Sequence, residues 1–161
     1  FIFCVYVLSA IFVEVFKRLT VDDSRFKVIK KKKKKYGLRN IEDSIELLQC
    51  DKNDVIIILD ADDWLSSSSV LTYLSLVYEV EDALGTYGSY MYYPLGIRGV
   101  EPSEYPEDVI AGNKFREDTW RASHLRTFKK KVWDKIEKKD FLTVDGDHYH
   151  MEYDQAHRLP Y

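Results

Sequence analysis

The chain has 161 residues and a formal net charge of −3, so by charge it is not a nucleic-acid binder as a whole, and its length suits one domain with a real core. Hydrophobic residues make up 45% and charged residues 32%, the balance of a globular chain rather than a disordered one. Cys4 and Cys50 have neither metal-ligand nor disulfide-framework spacing, which is consistent with a reducing compartment.

In chain order, Phe1 to Phe16 is apolar as far as Glu14 and then meets Lys17 and Arg18. A spanning helix needs about 20 apolar residues, so the run is short for a membrane crossing. It lacks the basic start and small-residue cleavage site of a signal peptide. A buried strand or core helix is the expected reading, with an anchor further upstream as the alternative. The location is accordingly expected to be cytoplasmic or membrane-peripheral. The start at Phe1 and the close on Leu159-Pro160-Tyr161 read as those of a fragment, truncated at both ends.

Phe26 to Ile29 reads as a short strand, and the lysine run Lys30 to Lys35 follows it. Such a run is most often a solvated loop, and one that could also attract an anionic ligand. Asn40 is placed to cap a helix with Ile41, Ile45 and Leu48 on one face and Asp43 as its capping-box partner. The polar turn Asp51 to Asp54 leads into the apolar run Val55 to Leu59. Ser66 to Ser69 offer N-caps for a helix with the stripe Val70, Tyr73, Leu74, Val77 and Tyr78. Gly85 to Tyr93 reads as a strand, Glu107 to Ala111 as a short helix closed by Gly112, and Phe128, Val132 and Ile136 as one face of another helix. Strands alternate with helices and no repeat is visible, so the economical architecture is an α/β sheet covered by helices.

The chemistry concentrates at Asp60-Ala61-Asp62-Asp63. An apolar run bounded by polar residues reads as a strand buried on both faces, and open α/β sheets bind ligands at the carboxyl ends of such strands. Carboxylates this close repel one another and call for a positive partner, for which a hard divalent cation is the natural candidate. The plain alternative is that Asp62 and Asp63 only cap the next helix.

The segment Val55 to Leu65 resembles the Asp-x-Asp metal-binding segment of glycosyltransferases with the nucleotide-diphospho-sugar-binding GT-A fold, most closely the family-2 branch. Further segments follow in the order that branch implies. Tyr36-Gly37-Leu38-Arg39-Asn40 resembles its upstream glycine and Arg-Asn segment, and Thr86 to Tyr90 the strand after the metal site. Ser123-His124-Leu125-Arg126-Thr127-Phe128 resembles the Ser/Thr-His-Leu-Arg-Thr-Phe segment of a viral and bacterial subgroup. Glu152-Tyr153-Asp154-Gln155-Ala156 is similar to the segment that carries the family's base. The resemblance covers 26–161. Residues 1–25 match poorly and lack a recognisable first strand with its base-holding aspartate.

What the resemblance implies is a single partial domain with a Rossmann-like, mostly parallel mixed sheet flanked by helices. It implies transfer of a hexose from a UDP- or GDP-sugar to a glycan, protein or lipid acceptor, with inversion and with Mn²⁺ or Mg²⁺. It places Asp62 and Asp60 on the metal, with Asp60, Gly37, Arg39 and Asn40 at the donor and Asp63 orienting the ligands. Asp154 becomes the base that takes the acceptor proton, with Glu152 its rival. His124 and Arg126 become contacts to the diphosphate or the acceptor loop. By spacing alone, Asp154 reads equally well as a helix cap, and His124 with Arg126 as a structural pair. His148 and His150, flanked by Asp145 and Asp147, could share a face and hold a transition metal, but Gly146 favours a solvated turn. Tyr87, Tyr90, Tyr92 and Tyr93 could stack on a sugar, though core packing is the expected role for most strand aromatics. Two readings compete with glycosyl transfer: another phosphate-handling metalloenzyme, such as a nucleotidyltransferase or phosphatase, and a non-catalytic remnant that binds nucleotide and metal.

Overall fold

The computed structural model describes residues 3–7, 18, 22–24, 26–30, 37–60, 63–115, 117–119 and 121–148. These fall into two compact units. One runs to Cys50 and takes in 137–148 as well; the other is Asp51 to Ile136.

In the first unit, β1 (Phe3–Val7) pairs in parallel with β2 (Phe26–Lys30), with Phe3 opposite Phe26. Helix α1 (Gly37–Leu48) follows. It begins a turn earlier than the capping pattern predicts, so Asn40 lies inside the helix rather than at its cap. The burial pattern gives the reason. Leu38 is 0% exposed and Ile45 4%, and a start at Gly37 brings Leu38 onto the same apolar face. Glu42 sits between them on that face and is also buried. A 3₁₀ turn, Lys138–Phe141, buries Phe141, and Leu142 then bridges to His148 around the tight turn at Gly146, whose φ is +83°.

The second unit is built on an antiparallel sheet in the order β3 (Val55–Ile58), β7 (Ser123–Lys129), β4 (Gly85–Gly88). Val55 pairs with Lys129 and Ile58 with Arg126 on one side of β7, and Gly85 pairs with Phe128 on the other. Helix α2 (Val70–Val80) lies where its stripe predicts and buries Tyr78, although Tyr73 faces outward. Its serines do not cap it through side chains. Ser67 instead accepts the Ser69 amide at 3.2 Å, a local bond that competes with capping.

Tyr78 ties the helix to the sheet. Its hydroxyl hydrogen-bonds Thr127 Oγ1 at 2.7 Å, and Thr127 in turn meets Thr86 Oγ1 at 2.6 Å. The expected strand over Gly85 to Tyr93 is broken: after β4 the chain forms the small hairpin β5 (Met91–Tyr92) and β6 (Ile97–Arg98). Helix α3 (Glu107–Ala111) buries Val109 and ends at Gly112 as read from sequence. Phe128 belongs to β7 rather than to a helix. Helix α4 (Lys130–Trp133) starts directly after it and stacks Trp133 on the Phe128 ring.

The α/β class therefore holds, but the mostly parallel sheet does not appear among the described residues. Among those residues parallel pairing is confined to β1 and β2, and the acidic strand runs antiparallel to its neighbour. Val55 to Ile58 are half-buried rather than buried on both faces, and among the described residues β3 is the edge of its sheet. A four-residue apolar run reports burial; it carries no information about the direction of the neighbouring strand.

Candidate metal centre

Asp60 lies two residues past the end of β3. Because Ile58 pairs with Arg126, continuing that register sets position 60 opposite position 124 on β7. The chain then turns: the Asp63 amide donates to the Asp60 carbonyl at 3.1 Å and brings the second carboxylate back toward the first. As a result Asp60, Asp63 and His124 each direct one ligand atom into a group whose members all lie within 4.8 Å of one another. His124 Nδ1 stands 3.9 Å from Asp63 Oδ2, and both side chains are partly open, at 32% and 49% exposure.

Ligand atoms around one divalent ion are separated by about 3 to 4.5 Å, so small side-chain adjustments would close this group on a cation. The donor set of two carboxylates and an imidazole suits Mn²⁺ or Zn²⁺ better than Mg²⁺, which prefers oxygen ligands throughout.

The surrounding elements hold His124 in place. A Cβ on Gly88 would come within 2.9 Å of the His124 carbonyl oxygen, so β4 approaches β7 here as only glycine allows. On the other side the Tyr90 ring stands edge-on to the imidazole, centroid to centroid 5.7 Å. An open groove of about 520 Å³ runs between α2 and β4, with Ser67 and Tyr73 on one wall, Thr86 and Tyr87 on the other, and Gly88 and Leu125 at its lining next to His124.

The sequence-derived residues separate accordingly. Asp60 and His124 come together as nitrogen and oxygen donors, and Asp63, expected behind the metal ligands, joins them directly. Asp62, Glu152, Asp154 and His150 lie outside the described residues, as do Lys31 to Lys35. Arg126 is on β7 opposite Ile58.

Gly37, Arg39 and Asn40 belong to the other unit. There Arg39 forms ion pairs with Glu42 at 2.5 Å and Asp43 at 3.1 Å. Burial acts to lower the guanidinium pKa, but the charge and hydrogen bond of Glu42, with Asp43 and Glu46 behind it, carry it above its ordinary value. Glu42 also meets His148 Nε2 at 3.1 Å. His148 is thus a partner of helix α1 rather than a solvated loop residue. The signal in the sequence was a glutamate spaced four after Leu38 and three before Ile45, on the apolar face, where a charge needs a partner.

Among the described residues no helix is long and apolar enough to cross a membrane. The chain matches no protein-family model, no curated protein and no solved structure.

Proposed function

We propose that this chain is a metal-dependent glycosyltransferase domain that takes a sugar from a nucleotide-diphospho-sugar, with Asp60, Asp63 and His124 holding the cation. The observation that carries this reading is the convergence of the acidic strand end and the Ser-His-Leu-Arg-Thr-Phe strand on one small group of ligand atoms. In the sequence those segments are separated by 60 residues or so, and each resembles a different part of the same enzyme family. A bound cation would supply neutralising charge for the diphosphate that leaves as its bond to the anomeric carbon breaks and the acceptor oxygen bonds to that carbon. The protein's own part is to fix the two carboxylates and the imidazole on a strand end and a tight turn, so that little rearrangement is needed on binding. The UDP- or GDP-sugar donor, inversion, and Asp154 as the base that accepts the acceptor proton all belong to this proposal.

The test is Mn²⁺ titration followed by the EPR signal of the free ion, with Asp63→Asn and His124→Ala beside the unaltered protein. It is paired with an assay for UDP or GDP release from UDP-glucose and GDP-mannose. Expected are Mn²⁺ binding that weakens at least tenfold in each variant, and nucleotide release that depends on the metal. Mn²⁺ affinity unchanged by both substitutions would remove the reading. Hydrolysis of p-nitrophenyl phosphate without nucleotide-diphosphate release would move the site to phosphate-ester chemistry.

A further inference from the structure

The residue after Asp63 is a tryptophan, and it is not buried. Trp64 is 63% exposed and Tyr93, from the hairpin turn, is 76% exposed, yet their rings are in contact at 5.0 Å between centroids and 75° between planes. What sets this pair apart is the direct ring contact between two exposed aromatics, one of them next to Asp63 in the chain. Their near-perpendicular planes form a notch with one ring face as floor and the other ring as wall.

The notch is fixed to the metal-candidate group by the base of the hairpin. The Gly99 amide donates to the Tyr90 carbonyl at 2.8 Å, and the Ser89 hydroxyl donates to the Val100 carbonyl at 3.0 Å. The Tyr90 ring lies over Gly99, where a Cβ would fall 2.3 Å from it, and the same ring stands against His124. Tyr90 and Tyr92 hydroxyls meet at 3.2 Å, so hydrogen-bonding groups border the hairpin's aromatic surface.

From this arrangement we infer that Trp64 and Tyr93 form a subsite that stacks one pyranose ring of a saccharide acceptor. The choice of an acceptor rests on the glycosyl-transfer reading above. A pyranose has an apolar face of C–H bonds and a rim of hydroxyls. The face suits an aromatic floor, and the rim suits carboxylate and phenol neighbours. A flat nucleobase would be served better by parallel faces than by a notch. It also sits a ribose away from the phosphates that a cation would bind, whereas Trp64 is adjacent in sequence to a proposed ligand. A membrane surface fits less well, because the one cation of the hairpin strands, Arg98, is paired with Glu101 at 3.4 Å.

The experiment follows the indole N–H signals of the ¹⁵N-labelled protein during titration with cellotetraose, chitotetraose and mannotetraose, in saturating Zn²⁺, which is diamagnetic and leaves the Trp64 signal visible, with Trp64→Ala and Tyr93→Ala as variants and Tyr93→Phe as the conservative control. Mn²⁺ binding is measured on separate samples of the same proteins. Expected is a shift of the Trp64 signal by at least one saccharide at millimolar concentration, at least tenfold weaker binding in Tyr93→Ala by the Trp64 signal and in Trp64→Ala by saturation transfer, and near-normal binding in Tyr93→Phe. The inference is overturned if no saccharide moves Trp64, or if UDP-glucose moves it while free saccharides do not. It is equally overturned if Trp64→Ala abolishes self-association in sedimentation or binding to phosphatidylcholine vesicles instead. Loss of the saccharide response with Mn²⁺ binding intact removes the notch alone. Loss of Mn²⁺ binding with the saccharide response intact removes the metal reading alone.

Discussion

Gly88 passes so close to the carbonyl oxygen of His124 that a methyl group at position 88 would sit 2.9 Å from that oxygen. The contact joins β4 to the end of β7 that carries the imidazole, and β-carbons do not tolerate such a separation from backbone. Gly88→Ala should therefore push the His124 segment away from Asp60 and Asp63 and disturb the Gly88–Ser123 pairing, while the pairs at Gly85 and Thr86, beyond the register irregularity, hold the sheet together. Substitutions that displace a metal ligand from behind typically weaken binding by about 10- to 100-fold, and that loss is expected for Mn²⁺. Far-UV circular dichroism should remain that of the unaltered protein.

Thr127 carries the junction of α2 with the sheet. It is 2% exposed, and its hydroxyl lies between the Tyr78 and Thr86 hydroxyls. Thr127→Val keeps the shape and removes the centre of the network, leaving a buried phenol short of a partner. The expected cost is about 1–3 kcal/mol, read from the shift of the urea midpoint. Tyr78→Phe leaves the threonine pair intact and should cost about 0.5–1.5 kcal/mol. Burial raises the Tyr78 pKa above its ordinary value, against the lowering effect of its hydrogen bonds to Thr127 and Thr86. Its neutral form is thus favoured by the fold. That contribution is complete below about pH 10, the value for an unfolded tyrosine, and is lost as pH rises through the higher folded value. Tyr78→Phe should make stability less sensitive to pH in that alkaline window.

These two junctions show how far the residues alone could be read. The helix over 70–80 was legible because its apolar positions recur at helical spacing, and the acidic strand end was legible because a sharp change from isoleucine to aspartate is local. The direction of β7 was not, since Ser123 to Lys129 alternates weakly and an antiparallel partner is chosen by tertiary pairing. The place of Asp63 was hidden for the same reason. Its approach to His124 depends on a turn at Asp60 and on the β3–β7 register, neither of which a spacing rule encodes. Glu42 was the reverse case: a signal was present, a charge on an apolar helix face, but its partner lies 106 positions away at His148.

An acid-side prediction concerns Lys129 and Asp82. The ammonium, 10% exposed on β7, meets the exposed Asp82 carboxylate at 2.7 Å and lies 5.8 Å from the centre of the Tyr78 ring. The hydrogen bond from Lys129, followed by the charges of Lys129 and Lys131, holds the Asp82 carboxyl below its ordinary value. A depressed carboxylate contributes stability above its unfolded pKa of about 4 and loses it as pH falls through the lower folded value. Asp82→Asn should therefore lower stability at neutrality, where the carboxylate is ionised and the buried Lys129 ammonium loses its partner, and should flatten the dependence on pH below about pH 4, so that the two proteins converge in acid. Urea midpoints at pH 6 and pH 3 for both proteins check the sign.

The final prediction separates structure from ligand binding at Arg39. Its guanidinium is one-third exposed and engaged by Glu42, which is itself buried and shared with His148. Glu42→Ala removes the common partner. Complete loss of a buried ion pair costs about 3–5 kcal/mol, but the exposure of Arg39 reduces the expectation here to about 1–3 kcal/mol. Amide exchange should quicken at 142–148, where His148 loses its anchor, and stay unchanged on β7, which belongs to the other unit. If Arg39 also serves a nucleotide phosphate, Glu42 competes with that phosphate for the same guanidinium. The near-isosteric Glu42→Gln, which weakens the competitor while keeping a hydrogen-bonding side chain in place, should then tighten UDP binding severalfold in a calorimetric titration. Unchanged or weaker UDP binding in Glu42→Gln, with the exchange pattern of 142–148 preserved, would confine Arg39 to holding helix α1 together.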